Sequence, residues 1–190
     1  QPFDIVSVEA FTADAKTDFS VQVQKSKDAG ADLLFMPFYY TEASLVLAEC
    51  NKQGYEPTFF GCDGMDGILG VENFDTALAE GLTFLAPFVA KSEDEQVQSF
   101  VSKYESAYSE TPNQFAADAY DCVYVVKAAI EAAGATPDMS VSDLCDAMKE
   151  AMASVSYSGI TGKDITWGED GEQNKAPLVV KVVDGEYTEL

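Results

Sequence analysis

The sequence predicts an α/β fold with a doubly wound parallel sheet, followed by a helical segment. In the first half of the chain, short apolar runs alternate with helical patterns, which is typical of βαβ units. In the second half, three helical patterns follow one another with no strand between them. Because consecutive helices leave a parallel sheet, we expect the two halves to differ in architecture.

Four strands are expected in the first half. The segment from Asp4 to Phe11 is rich in β-branched residues, which favour strands. Residues 32–37 form a short continuous apolar run, typical of a strand that is buried on both faces of a parallel sheet. Further strands are expected at residues 57–61 and 82–87.

Helices are expected between these strands. The first begins near Asp18 and ends at Gly30, with Phe19, Val23 and the stem of Lys27 on one face. A second begins at Thr41 or Glu42 and ends at Gly54, and a short one covers residues 74–79. Together with the strands, they predict parallel strands joined by crossover helices.

The second half predicts three helices and a final strand. The first spans residues 93–108, and the third runs from Ser140 or Val141 to a point before Ser156. The second begins after Asn113, ends at Gly134, and is expected to turn five residues inward: Phe115, Ala119, Val123, Val126 and Ile130. Residues 178–183 predict a strand followed by a tight turn.

Composition and charge exclude several classes of function. The 190 residues include 33 acidic and 11 basic side chains, giving a net charge of −22. Nucleic-acid binding requires a basic face, so we expect no nucleic-acid partner. The chain has no histidine, which removes Ser-His-Asp and Cys-His catalysis and histidine metal ligands. No cofactor or metal motif is present, and we expect a protein that is not an enzyme.

The cysteines and the apolar runs do not determine the cellular location of the protein. None of the four cysteines, Cys50, Cys62, Cys122 and Cys145, forms a C-x-x-C pair. We favour four buried thiols over disulfides. The longest apolar runs have the length of a strand, so no transmembrane helix is expected. No signal peptide is visible, which leaves a cytosolic protein and a processed, secreted one both open.

Polar and aromatic side chains follow the predicted strands. In an open parallel sheet, ligands bind outside the carboxyl ends of the strands, here residues 12–14, 38–42 and 62–67. Their rings, hydroxyls and carboxylates suit a small ligand with an ammonium group and an apolar body. The alternative is that Tyr39 and Tyr40 are packing residues and Asp63 only fixes a turn. The pattern gives the two interpretations equal weight.

The sequence resembles a known family. Residues 11–20 and 29–40 resemble the leucine/isoleucine/valine-binding proteins, the extracytoplasmic solute receptors of branched-chain amino acid ABC transporters. The similarity continues in order along essentially the whole chain, through residues 60–64, 79–82, 111–113, 115–117, 119–121 and 159–162.

The resemblance implies a periplasmic-binding-protein-like fold, in which two lobes close on the ligand. Residues 1–87 then correspond to the α/β unit of lobe two, residues 88–168 to helices and a hairpin strand of lobe one, and residues 169–190 to a return to lobe two. The first sheet of lobe one and the beginning of lobe two have no counterpart. The chain is therefore expected to be the C-terminal part of a receptor.

The resemblance also implies site residues. Tyr39 matches the lobe-two tyrosine that lines the ligand, and Asp63 matches the acidic residue that takes the α-ammonium group. Phe115 matches an aromatic residue at the cleft edge, and Tyr40 and Thr41 are their neighbours on the rim. The family's serine and threonine that hold the α-carboxylate come from lobe one and have no counterpart here.

The function implied is that of a solute-binding component of an ABC transporter that binds a branched-chain or similar small amino acid. The implied partners are this ligand, a membrane permease, and either the missing N-terminal lobe or a second copy of the chain. The implied location is extracytoplasmic, either periplasmic or as a cell-surface lipoprotein. The alternative is a ligand-sensing domain of the same fold in a signalling receptor. A carboxylate-dependent enzyme is disfavoured by the absence of histidine and of a nucleophile motif.

Overall fold

A computed structural model describes residues 3–190 and divides the chain into two compact units. The first unit contains the residues up to Ala86 together with Leu178–Leu190, and the second contains Pro87–Pro177. The chain thus leaves the first unit after residue 86 and returns to it at residue 178. Residues 169–177, expected to begin the return, belong to the second unit.

The described residues contain five α-helices, seven strands and three short 3₁₀ turns. The helices are α1 (Ser20–Asp28), α2 (Tyr40–Lys52), α3 (Glu95–Tyr108), α4 (Gln114–Ala132) and α5 (Val141–Met152). The strands are β1 (Leu33–Met36), β2 (Thr58–Gly61), β3 (Thr83–Ala86), β4 (Ser156–Tyr157), β5 (Ile165–Thr166), β6 (Leu178–Val183) and β7 (Glu186–Glu189).

The first unit is built on a mixed sheet in the order β1-β2-β3-β6-β7. Strands β1, β2 and β3 are parallel, whereas β6 is antiparallel to β3 and β7 is antiparallel to β6. Helix α2 supplies the crossover from β1 to β2, and short 3₁₀ turns join β2 to β3. The predicted α/β class is confirmed. The final hairpin extends the sheet with antiparallel strands.

The N-terminal strand expected over residues 4–11 is not present. These residues have no strand pairing in the structure, and Ile5 and Val8 are exposed by 76% and 84%. The alternation of apolar residues is strand-like, but a strand also needs a neighbour that supplies hydrogen bonds, and no described segment pairs with this one. For the same reason β1 has one partner only, and Leu33 and Phe35 are exposed rather than buried on both faces.

The core of the first unit lies between α2, the sheet and the loop after β2. Helix α2 buries Ala43, Val46 and Leu47 along one side, which matches its apolar periodicity. Phe84 of β3 and Val182 of β6 are fully buried in the sheet. The predicted strands at residues 57–61 and 82–87 are therefore confirmed as interior strands of this unit.

The second unit consists of α3, α4 and α5 with the small antiparallel pair β4–β5. Its core is a cluster of Phe88, Val97, Phe100, Val101, Ala117 and Ile160. The predicted N-terminus of α4 is confirmed, since the Asn113 side chain accepts a hydrogen bond from the Ala116 amide (3.3 Å).

The predicted inward face of α4 is wrong. Helix α4 instead buries Gln114, Ala117, Asp121 and Ala129. Of the five residues expected to face inward, Phe115 is half-buried, and the other four are exposed: Ala119, Val123, Val126 and Ile130. Apolar periodicity identifies a face that favours burial. In this unit, however, the face of α4 that packs is the one that contains the buried Asp121 carboxylate.

The cysteines differ in their surroundings. All four are free thiols, but only Cys50 is buried, Cys62 is half-buried, and Cys122 and Cys145 are exposed, so the prediction of four buried thiols is wrong. Burial, and then the nearby Glu49 charge, raise the pKa of Cys50 to about 12. Among the described residues, no helix combines the length and hydrophobicity that a membrane crossing needs.

Candidate functional site

The candidate site in the first unit lies where β1 and β2 end. These strands are parallel and adjacent, with Phe35 opposite Phe60 and Met36 opposite Gly61. Their carboxyl ends therefore meet at one edge of the sheet, and the segments that follow them, residues 37–41 and 62–67, emerge side by side. The structure thus brings Tyr39, Tyr40, Thr41 and Asp63 to the same edge.

A glycine holds these two segments together. A Cβ placed on Gly64 would lie 2.6 Å from the carbonyl oxygen of Phe38 and 3.3 Å from the Cα of Tyr39. The backbone after β2 therefore passes so close to the backbone after β1 that only glycine fits. As a result, the position of Asp63, one residue before Gly64, is tied to that of Tyr39.

Tyr39 and Asp63 are both exposed to solvent. Tyr39 directly precedes α2 and is 61% exposed. Asp63 begins a short 3₁₀ turn, Asp63–Met65, and is also exposed. An exposed ring and an exposed carboxylate on neighbouring segments offer an apolar surface and a negative charge to a ligand.

Tyr40 and Thr41 are placed differently. The Tyr40 ring packs against Gly67, whose added Cβ would lie 3.0 Å from the Tyr40 Cε1 atom. Tyr40 therefore supports the segment after β2, as the packing interpretation suggested. Thr41 is exposed in the first turn of α2, and its carbonyl accepts a hydrogen bond from the Ser44 hydroxyl (2.8 Å).

An ion pair that the sequence did not predict lies in the same unit. Lys16 Nζ is 2.8 Å from Glu42 Oε1, in the first turn of α2. The side chain of Glu42 is 10% exposed, and its hydrogen bond from Lys16 lowers the pKa of this carboxyl. The partners are 26 positions apart, and no local spacing pattern could have paired them.

Aromatic packing fixes the loop that carries Lys16. The Phe11 ring meets Phe19 and Phe38 edge to face, with centroids 5.2 Å apart in both pairs. Phe38 lies in the segment after β1, next to Tyr39, so this contact ties the residue 12–16 loop to the candidate site. The predicted rim residues Thr12 and Asp14 are exposed in that loop.

Phe115 belongs to the second unit. It lies in the first turn of α4 and is half-buried. Tyr39, Tyr40, Thr41 and Asp63 all belong to the first unit, so the predicted set of site residues is divided between two units of the chain.

Asp121 is the most highly connected carboxylate of the second unit. It is buried on α4 and accepts four hydrogen bonds: from the Tyr157 hydroxyl (2.9 Å), the Ile160 amide (3.2 Å), and the Thr161 amide and hydroxyl (2.8 and 2.7 Å). A Cβ on Gly159 would overlap Asp121 and Tyr157. Burial, and then the bond to Asp121, raise the Tyr157 pKa.

These bonds make Asp121 a structural anchor. A carboxylate with four donors has little capacity left for a ligand, so its role is to hold residues 157–161 against α4. The sequence predicts a helix around Asp121 and a family resemblance at residues 159–162, but it does not predict that the two segments touch. A cavity of about 490 Å³ adjoins this anchor, lined mainly by Glu95, Phe100, Tyr120, Asp121, Tyr124 and Tyr157.

The candidate site contains the groups for binding a small molecule and shows no metal centre. Within residues 3–190, no group of three or more cysteine, aspartate and glutamate side chains is arranged to hold a metal ion. The exposed ring of Tyr39 and the exposed carboxylate of Asp63, at the carboxyl edge of β1 and β2, suit non-covalent binding.

Several longer proteins of known structure share the fold of this chain. Leucine binding protein LivK from Thermotoga maritima has 24% sequence identity and a TM-score of 0.75, and the match covers 92% of this chain and 48% of LivK. LivJ from Streptococcus pneumoniae, a branched-chain amino acid substrate binding protein solved with isoleucine, has 24% identity and a TM-score of 0.73, covering 95% of this chain and 51% of LivJ.

A third structure shows a different ligand on the same fold. A solute binding protein of an ABC transporter from R. palustris, solved with benzoate, has 16% identity and a TM-score of 0.75, covering 92% of this chain and 46% of that protein. The chain therefore spans about half the length of these proteins. At these identities the similarity shows the fold alone.

Sequence comparison with whole families is more specific. No curated protein matches the chain. The sequence profile described as periplasmic binding protein matches residues 3–186, which is nearly the whole chain. This match agrees with the α/β sheet and with the structures above, which include binding proteins for branched-chain amino acids. The chain belongs to the periplasmic binding protein family.

Proposed function

We propose that this chain is part of an extracytoplasmic receptor that binds a small amino acid, branched-chain or similar, and delivers it to the permease of an ABC transporter. Family membership supports a role in solute binding, and two structural neighbours are named as leucine and branched-chain amino acid binding proteins. The observation that carries the proposal is that two exposed side chains, Tyr39 and Asp63, lie at one edge of the sheet.

Asp63 and Tyr39 have complementary roles in this proposal. The Asp63 carboxylate accepts a charge-assisted hydrogen bond from the α-ammonium group of the ligand. The Tyr39 ring provides apolar contact area, and its face attracts the same cation. The contact at Gly64 keeps the two groups at a fixed separation, so the site does not have to be ordered when the ligand binds.

The other predicted residues have secondary roles. Phe115 belongs to the second unit, and its role in binding stays a prediction. Thr41 stays accessible at the start of α2 and contributes a hydroxyl group. Tyr40 acts through Gly67, by supporting the segment that carries Asp63.

Replacement of Asp63 by asparagine tests the proposal. We expect Asp63→Asn to weaken amino acid binding by about 2 kcal/mol, or roughly 30-fold in Kd, because the ammonium group loses its charged acceptor. The measurement is calorimetric titration of the native receptor polypeptide that contains this chain, with a panel of aliphatic and polar amino acids. The panel also identifies the ligand.

The matched control for this experiment is Glu56→Gln. Glu56 is an exposed carboxylate in the same unit before the amino end of β2, so its replacement removes one unit of charge at the end of the strand opposite to Asp63. An equal loss in both variants indicates a general effect of charge. Unchanged affinity in Asp63→Asn contradicts the proposed role.

We also propose that this chain is an incomplete receptor whose exposed apolar face is covered by the rest of the protein or by a second copy. Val123, Val126 and Ile130 of α4 are exposed by 68%, 48% and 40%, and Val141 of α5 by 79%. Exposed apolar residues grouped on packed helices are typical of an interface. The structural neighbours, which are about twice as long, support the same view.

A further inference from the structure

The end of the chain contacts the segment that carries Asp63. Tyr187 lies in β7, and its hydroxyl oxygen accepts hydrogen bonds from the amides of Gly67 (3.0 Å) and Leu69 (3.3 Å). These partners are 120 and 118 positions away in the sequence. The Tyr187 ring packs edge to face on Phe84 of β3, with centroids 5.5 Å apart.

The segment from Cys62 to Gly70 depends on such contacts. It forms two short 3₁₀ turns, Asp63–Met65 and Ile68–Gly70, and its residues pair with no strand. Gly67, between the turns, has a φ of 112°, a conformation that side chains disfavour. Gly67 alone connects the two turns, and such a short connection makes few stabilising contacts of its own. Its geometry therefore depends on the groups packed around it.

Two tyrosines contact Gly67. The Tyr40 ring packs against its Cα, and the Tyr187 hydroxyl oxygen accepts a hydrogen bond from its amide. Burial, and then the Asp66 charge, raise the pKa of Tyr187 to about 12. The hydroxyl therefore stays neutral at physiological pH, and its oxygen can accept both amides through its two lone pairs.

We infer that Tyr187 is a positioning residue for amino acid binding: by accepting the Gly67 and Leu69 amides, it fixes the segment that presents Asp63 to the ligand. This inference rests on the proposed role of Asp63. It assigns to the C-terminal hairpin a part in setting ligand affinity, although Tyr187 itself does not touch the ligand.

The test is Tyr187→Phe in the native receptor polypeptide, since this change removes the acceptor oxygen and keeps the ring on Phe84. The matched control is Tyr55→Phe. The Tyr55 hydroxyl donates to the Ala31 carbonyl (2.7 Å) in the same unit, and its pKa is likewise raised by burial. Neither Tyr55 nor Ala31 belongs to the segment that carries Asp63.

The first readout is amide hydrogen exchange, which requires no ligand. We expect exchange in a peptide covering residues 62–70 to rise by about fivefold in Tyr187→Phe, while peptides from β2 and β3 keep their rates. Tyr55→Phe is expected to leave the 62–70 peptide unchanged. An equal rise over the whole sheet, or no rise at residues 62–70, overturns the inference.

The second readout is the Kd for the amino acid ligand found by titration. We expect Tyr187→Phe to raise the Kd by about fivefold, and to have almost no further effect in a chain that already carries Asp63→Asn, because Tyr187 acts through Asp63. If Asp63→Asn weakens binding and Tyr187→Phe does not, the positioning role is overturned. If neither change affects binding, the proposed function itself fails, and the positioning role fails with it.

Discussion

Gly64 connects the two segments of the candidate site more tightly than any polar contact described there. Its Cα faces the Phe38 carbonyl and the Tyr39 backbone, and these groups cannot move away as the end of a flexible side chain could. A methyl group at this position therefore has to push one segment away from the other. The affected distance is the one between the residues proposed to hold the ligand.

Gly64→Ala is expected to lower the free energy of unfolding by about 2 kcal/mol, because the added Cβ lies 2.6 Å from a backbone oxygen. Urea unfolding followed by circular dichroism measures this loss. The control is Gly70→Ala in the same segment, where an added Cβ has no neighbour within 4 Å. Equal stability of the two variants would contradict the close approach.

At the scale of residues, the sequence predicts which side chains meet but not what holds them. Parallel strands place Tyr39 and Asp63 at one edge, and this follows from two short apolar runs with a helix between them. The hydrogen bond from Gly67 to Tyr187 joins residues 120 positions apart in the sequence, and the Lys16–Glu42 ion pair joins residues 26 positions apart. No periodicity or motif records contacts of that kind, because they depend on the final packing of the sheet.

At the scale of elements, α4 shows why periodicity gives the bounds of a helix but not its packing. The predicted cap at Asn113 and the end near Gly134 agree with the structure, whereas the predicted inward face does not. The observed face is set by Asp121, which requires the donors of residues 157–161 once it is buried. Residues 4–11 illustrate the same limit, since their strand-like pattern lacks a partner.

Asp121→Asn is expected to destabilise the second unit by about 3 kcal/mol. The donors of residues 157–161 then face a neutral side-chain amide, which has one acceptor oxygen instead of two. The single tryptophan, Trp167, belongs to this unit, so its fluorescence reports the unfolding in urea. The control is Asp118→Asn on the same helix. Asp118 is 37% exposed in its ion pair with Lys175 (3.2 Å), and a loss well below 1 kcal/mol is expected there. A small effect in both variants would argue against the anchor.

At the scale of the whole molecule, two features oppose each other. The net charge of −22 keeps copies of the chain apart, whereas the exposed apolar residues of α4 and α5 favour association. Repulsion between exposed charges is screened beyond about 8 Å at physiological salt, but the gain from burying apolar surface is not. We therefore expect association to prevail at that salt concentration.

The prediction is that the 190-residue chain self-associates in about 0.15 M salt, with a mass by light scattering above the 20.5 kDa of one copy. Replacing Val123 and Ile130 by lysine is expected to restore the single-chain mass, because both are exposed on α4. Val21→Lys is the control, since Val21 is 61% exposed on α1 in the other unit. A native chain that stays at 20.5 kDa at high concentration would show that this face needs no cover, and would count against an incomplete receptor.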